Sequence, residues 1–212
     1  MKDFPMFTTE YGIASLVLKE VPYRQEAYIT IRSSEEPEAL LKECIAFCRM
    51  VGAEKIYAKG HPIAEQYPVH TILYEMRGMA EPDPKLVESI FPVTEATVGR
   101  WRQIYNEKMR NVDCAATQTS QDEKQILSSG GAYFVHRNGN LLGIGWMDGA
   151  QLLAICAAQP GAGRQVLYTL LSTVEGEQVH LEVASTNFRA IRFYESLGFI
   201  KTGEKSRWYR VL

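Results

Sequence analysis

The chain has 212 residues, of which 46% are hydrophobic and 23% charged, and its formal net charge is −2 at pH 7. This length and balance suit one large globular domain or two small ones with a substantial core. The weak net charge gives no support for a nucleic-acid partner, and the sequence holds neither a long apolar run typical of a transmembrane helix nor a secretory signal. We therefore expect no nucleic-acid or membrane partner and a cytoplasmic location.

The first half predicts a strand pair over residues 13 to 32 and then a helix over residues 33 to 52. Ser34 is a suitable N-cap for this helix, Pro37 fits its first turn, and Gly52 fits its end. Apolar side chains at helical spacing mark its buried face: Leu40, Leu41, Cys44, Phe47 and Cys48.

Two of the four cysteines share that helix face. No histidine or further cysteine lies close to Cys44 and Cys48 in the sequence, so a metal site is not indicated. We expect both to be buried free thiols, in a protein of a reducing compartment that binds no metal.

Strands follow over residues 53 to 60 and 69 to 76. The next stretch, residues 77 to 92, carries three prolines and predicts a turn-rich bridge without regular structure. We place a domain boundary at its end, near residue 92.

The second half is more regular. A helix is predicted over residues 93 to 112 with Thr94 as its N-cap, and Asn138-Gly139 is typical of a tight hairpin turn. The apolar residues 151 to 158 predict a central strand buried on both faces. The other predicted elements are a short helix at 120–131, a helix at 163–174, a strand at 178–186, a helix at 185–199 and a strand at 204–212.

Between the apolar strand and the next helix lies a loop with two glycines, in the sequence QPGAGRQ. Gly161 and Gly163 allow close backbone approach to a ligand, and the amides and dipole of a helix N-terminus attract phosphate. Arg164 adds a positive charge. The loop lacks the Lys-Ser or Lys-Thr of a P-loop and has Val166 where a dinucleotide fingerprint has its third glycine. A tight turn without a ligand explains the same residues.

Strand alternation over residues 178 to 184 places His180, Glu182 and Ala184 on one face. That face belongs either to a solvent-exposed edge or to a cleft. The following helix has cap residues at its start and Gly198 at its end. Tyr194, considered alone, is a packed core side chain.

These last elements carry a resemblance. The stretch LEVASTNFRAIRFYESLGF is similar to the C-terminal motif of the GCN5-related N-acetyltransferases, through Asn187, Ala190, Tyr194-Glu195 and Gly198-Phe199 in register. The element order over residues 93 to 212 also resembles that family. The resemblance implies an α/β (α+β) fold, with a mixed, mostly antiparallel twisted sheet flanked by helices.

The resemblance covers the second half, so we predict a catalytic domain at residues 93–212. Residues 1–92 hold a strand, helix and strand over 27–59 that echo those over 151–184. They lack both the glycine loop and the Asn…Tyr-Glu…Gly-Phe motif. We interpret residues 1–92 as a smaller, degenerate acetyltransferase-like unit.

The function implied by the resemblance is transfer of an acetyl group from acetyl-CoA to a primary amine. Asn187 would help to hold the pantetheine arm, which would pair with the strand end near Ala157. The pyrophosphate would be held by backbone amides of the loop and helix: Gly161, Ala162, Gly163, Arg164 and Gln165. The loop departs from the family pattern, because Ala158 stands at the usual Arg or Gln position and Gln159 comes one residue late.

Catalytic roles follow from the same resemblance. Tyr194 stands at the position of the general acid that protonates the departing thiolate, and Glu182 at that of the general base. An ordinary carboxylate is a weak base for an ammonium, so intervening waters or desolvation would have to assist. His180 and water stay open as alternatives.

A second hypothesis is a non-catalytic acyl-CoA-binding or interaction module on the same fold, and a third is the use of another acyl-CoA. The acceptor, a small-molecule or peptide amine, is not indicated by any charged cluster. Monomer and homodimer are both compatible with the sequence.

Overall fold

The computed structural model describes residues 6–212. Its contacts divide the chain into two compact units. Unit 1 comprises the chain up to Leu73 together with Glu204–Leu212, and unit 2 is Tyr74–Gly203. The division falls after Leu73, before the boundary near residue 92 that the prolines suggested. The last residues of the chain, Glu204–Leu212, belong to unit 1.

The helices and strands follow in chain order: β1 Met6–Thr9, β2 Gly12–Val17, α1 Val21–Arg24, β3 Glu26–Ser34, α2 Pro37–Met50, β4 Lys55–Lys59, β5 Val69–Met79, β6 Ser89–Pro92, α3 Val98–Met109, α4 Glu123–Ser129, β7 Ala132–Arg137, β8 Asn140–Asp148, β9 Gln151–Ala157, α5 Gly163–Leu171, β10 Gln178–Ala184, α6 Phe188–Glu195 and β11 Ile200–Arg210. Short 3-10 turns lie before β5, β6 and α4 and after α5. No helix in residues 6–212 has both the length and the apolar character needed to cross a bilayer.

Unit 1 is built around the β3-α2-β4 segment. The β1/β2 and β2/β3 pairs are antiparallel, β3 and β4 are parallel, and the end of β11 pairs antiparallel with β4. The predicted stripe of α2 packs against the sheet, and Cys44 and Cys48 are buried free thiols as expected.

The start of α2 differs from the prediction. Ser34 is the last residue of β3, and its hydroxyl donates to the Tyr11 carbonyl at 2.6 Å, so it is not the N-cap. The helix begins at Pro37, with Glu36 in the cap position and no side-chain hydrogen bond there. Proline supplies a fixed φ at the first turn and needs no amide donor, so the helix starts without a polar cap.

Unit 2 contains the strand order β10-β9-β8-β7-β6. The three pairs from β6 to β9 are antiparallel, whereas β9 and β10 are parallel. The predicted α+β class, with a mixed and mostly antiparallel sheet flanked by helices, is confirmed. Asn138 and Gly139 both have positive φ, 50° and 79°, as the predicted hairpin turn requires.

Two predictions for this part of the chain were wrong. β6 lies inside the stretch predicted as an irregular bridge; it is a four-residue strand that ends on Pro92, and a proline at a sheet edge hides the usual strand pattern. Helix α3 starts at Val98 after Thr97, not after Thr94. The Thr97 hydroxyl accepts from the Thr94 amide at 2.9 Å, which closes a turn before the helix.

Candidate active site

The candidate site is centred on a break in the sheet of unit 2. β9 and β10 pair only where Gln151 and Leu152 lie opposite His180 and Leu181. Beyond these residues the two strands no longer pair, although each continues for several residues. The backbone edges of the two strands that face each other are therefore unpaired with one another beyond this point.

A β-bulge in β9 accompanies this break. Trp146 of β8 pairs with Ala154 and Met147 pairs with Leu152, which leaves Leu153 as an extra residue. A bulge bends its strand and increases the twist. Leu153 is 41% exposed, so the prediction that β9 is buried on both faces was wrong.

The glycine loop turns from β9 into α5. The Ala162 amide donates to the Gln159 carbonyl at 3.3 Å, and Gly161 between them has a φ of 82°. Pro160 and Gly161 are the residues that a type II turn prefers at its centre. Ala162 belongs to the set of amides predicted to bind phosphate, but its amide is hydrogen-bonded to the Gln159 carbonyl in this turn.

Helix α5 begins at Gly163 without a side-chain cap. The first amides of a helix, here those of Gly163, Arg164 and Gln165, have no intrahelical acceptor. Arg164 is exposed, and no ion pair of its guanidinium occurs within residues 6–212. The Gln165 Oε1 atom is buried without a hydrogen-bond partner in the same described range. The first amides of α5, the Arg164 guanidinium and the Gln165 side chain can therefore form hydrogen bonds with a ligand at the start of the helix.

Gln159 does not replace the missing Arg or Gln of the loop. Its Nε2 donates to the Leu141 carbonyl at 2.9 Å, which ties the side chain back to β8. A second contact joins the loop to α6: a Cβ at Gly163 would lie 3.7 Å from the Phe193 ring. A side chain as large as alanine would fit at this distance, so the start of α5 lies beside α6 without a requirement for glycine.

On β10, the predicted alternation is present. Val179, Leu181 and Val183 are buried, whereas His180 is half-buried and Glu182 is exposed. Glu182 lies beyond the last residue of β10 that pairs with β9. It is therefore on the open part of the strand, where it can contact a molecule bound between the strand ends.

Asn187 has a structural role that limits its predicted one. Its Oδ1 accepts from the Ala190 amide at 3.1 Å and caps α6. A ligand donor cannot use that oxygen without breaking the cap, which leaves the Nδ2 group as the part of the side chain that can reach a ligand carbonyl.

Tyr194 is held in place by the end of α6. The Phe199 amide donates to the Tyr194 carbonyl and the Gly198 amide to the Glu195 carbonyl, both at 3.1 Å. Gly198 has a φ of 83°, so these two bonds form a Schellman motif. The Tyr194 ring packs between Phe193 and Phe199, with centroid distances of 5.5 and 5.8 Å.

Tyr194 lies in a buried environment that disfavours the ionised form of its hydroxyl. The residue is 7% exposed; burial raises its pKa well above the ordinary value, and the nearby Cys156 side chain contributes in the same direction. Burial also raises the pKa of the Cys156 thiol to about 12. Like any tyrosine it is neutral near pH 7 and so has a proton to donate, and the raised pKa makes it a weaker acid than an exposed tyrosine.

The electrostatic interaction of Cys156 with Tyr194 was not predicted. Cys156 lies on β9 and Tyr194 on α6, far apart in the sequence and in no shared motif. The bulge at Leu153 was missed as well, because an apolar run contains no signal for an extra residue. Both features require knowledge of strand register.

Comparison with known proteins bears on this arrangement. No family model matches the chain. A segment of 51 residues, 24% of this chain and 32% of the relative, is 43% identical to the N-alpha-acetyltransferase RimI of Mycobacterium tuberculosis.

Solved structures match over almost the whole chain. A functionally unknown conserved protein of Staphylococcus epidermidis aligns with a TM-score of 0.58 at 11% identity, over 99% of this chain and 94% of that one. An acetyltransferase of the GNAT family from Colwellia psychrerythraea aligns with a TM-score of 0.52 at 11% identity, over 97% and 84%. At these identities the likeness establishes the fold, which is that of the GCN5-related N-acetyltransferases.

We expect the Tyr194 hydroxyl to stay protonated near pH 10, where an exposed tyrosine ionises, because burial raises its pKa. The folded protein then keeps a proton that the unfolded chain loses, so the contribution of Tyr194 to the free energy of unfolding falls above about pH 10. Carbon NMR of tyrosine Cζ against pH measures this, with the Tyr194 signal assigned by its loss in Tyr194→Phe. A signal that titrates together with those of exposed tyrosines would contradict the expectation.

Proposed function

We propose that the protein is an N-acetyltransferase that moves an acetyl group directly from acetyl-CoA to a primary amine. The observation that carries this proposal is the open end of β9 and β10 together with the buried tyrosine Tyr194. The glycine loop and α5 supply the anion-binding element of the same unit. The partial sequence match to an N-alpha-acetyltransferase favours an α-amine as the acceptor.

In this proposal acetyl-CoA is a co-substrate. Its pyrophosphate contacts the amides of Gly163, Arg164 and Gln165, and the Arg164 guanidinium adds a charge-assisted bond. The pantetheine arm is an extended chain with amide groups. It pairs with the free backbone of β9 near Ala157, as a strand would at an open sheet edge.

The chemistry then assigns a proton to each step. The acceptor must lose a proton before its nitrogen lone pair attacks the thioester carbonyl; an α-amine, with a pKa of about 8, loses it more readily than a lysine at about 10. After the attack the nitrogen loses a second proton, the carbon–sulfur bond breaks as the amide forms, and the departing sulfur takes up the proton that Tyr194 donates. The tyrosinate then regains a proton from solvent, so one proton is released in each turnover.

Glu182 is the proposed general base. It is the exposed carboxylate on the open part of β10, and it receives the proton of the acceptor directly or through water. His180 lies two residues earlier on the same face and is half-buried. The position of His180, opposite Gln151 in the paired part of the strands, places it further from the open end.

We also propose that the catalytic domain is residues 93–212 and that residues 1–92 are a degenerate copy of its core. The supporting observation is topological. β3-α2-β4 and β9-α5-β10 are both strand-helix-strand segments with parallel strands. Only the second has glycines before its helix; Glu35 and Glu36 stand before α2 and would repel phosphate.

Acetyl-CoA should raise the thermal midpoint of the protein, and Arg164→Gln should weaken its binding roughly fivefold, more at low salt. The measurement is calorimetric titration at two salt concentrations. Arg100→Gln is the matched control, because Arg100 is also an exposed arginine near a helix start, on α3. Absence of stabilisation by any CoA ester would exclude the proposed donor. Binding without transfer to any amine would favour a non-catalytic acyl-CoA-binding module.

Tyr194→Phe should lower kcat by about 10²-fold, since it removes the proton donor, while the affinity for acetyl-CoA changes little. Release of free CoA thiol in the presence of α-amine peptides, lysine peptides and small amines follows the reaction. Tyr168→Phe is the control, because Tyr168 packs against the same core from α5. Equal turnover of the Tyr194 variant and wild type would remove the acid role.

Glu182→Gln should lower kcat/KM roughly 10²-fold near neutral pH and shift its pH dependence, because the base is lost while the side-chain shape is kept. His180→Gln, two residues away on the same strand face, should change kcat/KM less than threefold by the same reasoning. The reverse ranking would assign the role to His180. Unaltered pH profiles in both variants would assign it to water.

A further inference from the structure

Unit 1 carries a surface groove that the proposed chemistry does not use. It is open, has a volume of about 540 Å³, and lies between β1 and the C-terminal half of α2. The residues that matter for its character are Phe7, Glu10, Glu43, Phe47 and Met50.

The floor of the groove is apolar. The Phe7 and Phe47 rings are in contact, with centroids 5.0 Å apart, and Met50 is 75% exposed at one end. The fully buried side chains of α2 are Leu40, Leu41, Cys44 and Cys48. Phe7 and Phe47 are half-buried and also pack against the core of unit 1, so the floor of the groove is an open margin of that core beside the exposed Met50.

The other end of the groove is acidic. One oxygen of Glu43, Oε2, is buried and has no hydrogen-bond partner within residues 6–212. Glu10 also lines the groove, and Glu10, Glu43 and Glu36 together raise the pKa of the Tyr11 phenol beside them. A cationic group placed here would gain attraction from several carboxylates and would satisfy an oxygen that lacks a donor.

The rim of the groove is the outer edge of a strand. β1 pairs with β2 on one side and with no strand of residues 6–212 on the other. An open edge of this kind can accept an extended segment through backbone hydrogen bonds. Alternate side chains of that segment would then lie along α2, over Glu43 and Phe47.

We propose that this groove binds an extended peptide segment of another protein, added to β1, with basic and apolar side chains on the face toward α2. Glu43 and Phe47 are one helical turn apart, about 6 Å, which matches two residues of a strand, about 6.6 Å. The favoured segment therefore has a lysine or arginine two residues from a leucine or similar side chain.

Charge argues for this occupant over two others. A second copy docked through the same groove would bring Glu10 and Glu43 of both molecules together, and like charges at an interface are unfavourable. An anionic membrane surface would be repelled for the same reason. A basic peptide is complementary at the acidic end and on the apolar floor.

The test is fluorescence anisotropy of the full chain with a short labelled peptide in which lysine and leucine alternate along one strand face and threonine fills the other. Replacing its lysines by glutamate should weaken binding at least about tenfold. Glu43→Gln should weaken binding about fivefold, because a charge-assisted bond is lost. Met50→Gln should also weaken it. Glu38→Gln, an exposed α2 residue outside the groove, should have no effect.

Several results would overturn the proposal: no binding, equal binding of the lysine and glutamate peptides, or an equal loss in Glu38→Gln and Glu43→Gln. A dimer in sedimentation that Met50→Gln dissociates would assign the groove to a second copy and overturn it as well. Binding to anionic vesicles without binding to the peptide would do the same. Because these measurements need no acetyl-CoA, their failure and that of the proposed acetyltransferase activity are distinguishable.

Discussion

Pairing between β9 and β10 stops after Leu152 and Leu181, and the parts of the candidate site are arranged around that stop. Two adjacent parallel strands normally satisfy each other's backbone groups along their length. Here the bulge at Leu153 bends β9 away, and the backbone of both strand ends becomes available to something else. The opening between the strands is thus a property of their hydrogen-bond register.

The burial of Tyr194 serves the fold and the proposed chemistry together. The Schellman motif at Gly198 brings Phe199 back against the ring, and the cap at Asn187 fixes the other end of the same short helix. With both ends fixed, Tyr194 has little freedom to leave its apolar site. The desolvation that results raises the pKa of its hydroxyl above the ordinary value.

Sequence reasoning found most of the fold because the pattern was local. The Asn138-Gly139 turn, the stripe of α2 and the alternation of β10 each follow from neighbouring residues. The predicted starts of α2 and α3 were less accurate. Ser34 and Thr94 are good cap residues, but Ser34 bonds to Tyr11 and Thr94 bonds to Thr97 in a turn before the helix. What depends on pairing register could not be predicted, including the extra residue at Leu153, the short strand β6, and the electrostatic interaction of Cys156 with Tyr194. The roles of Glu182 and Asn187 in a reaction stay predictions. The Oδ1 atom of Asn187 is occupied by the cap bond, so its Nδ2 group is the part that can contact a ligand.

The electrostatic interaction between Cys156 and Tyr194 has a consequence for selectivity. If Tyr194 protonates a departing thiolate, then Cys156 is a second sulfur within electrostatic range of the reacting groups. A thiolate there would be a nucleophile able to take the acyl group itself and block the site. Burial raises the Cys156 pKa to about 12, so near neutral pH the sulfur is almost entirely a thiol. Burial therefore raises the pKa of both side chains, and it would make Cys156 a poor competitor for an amine acceptor near neutral pH.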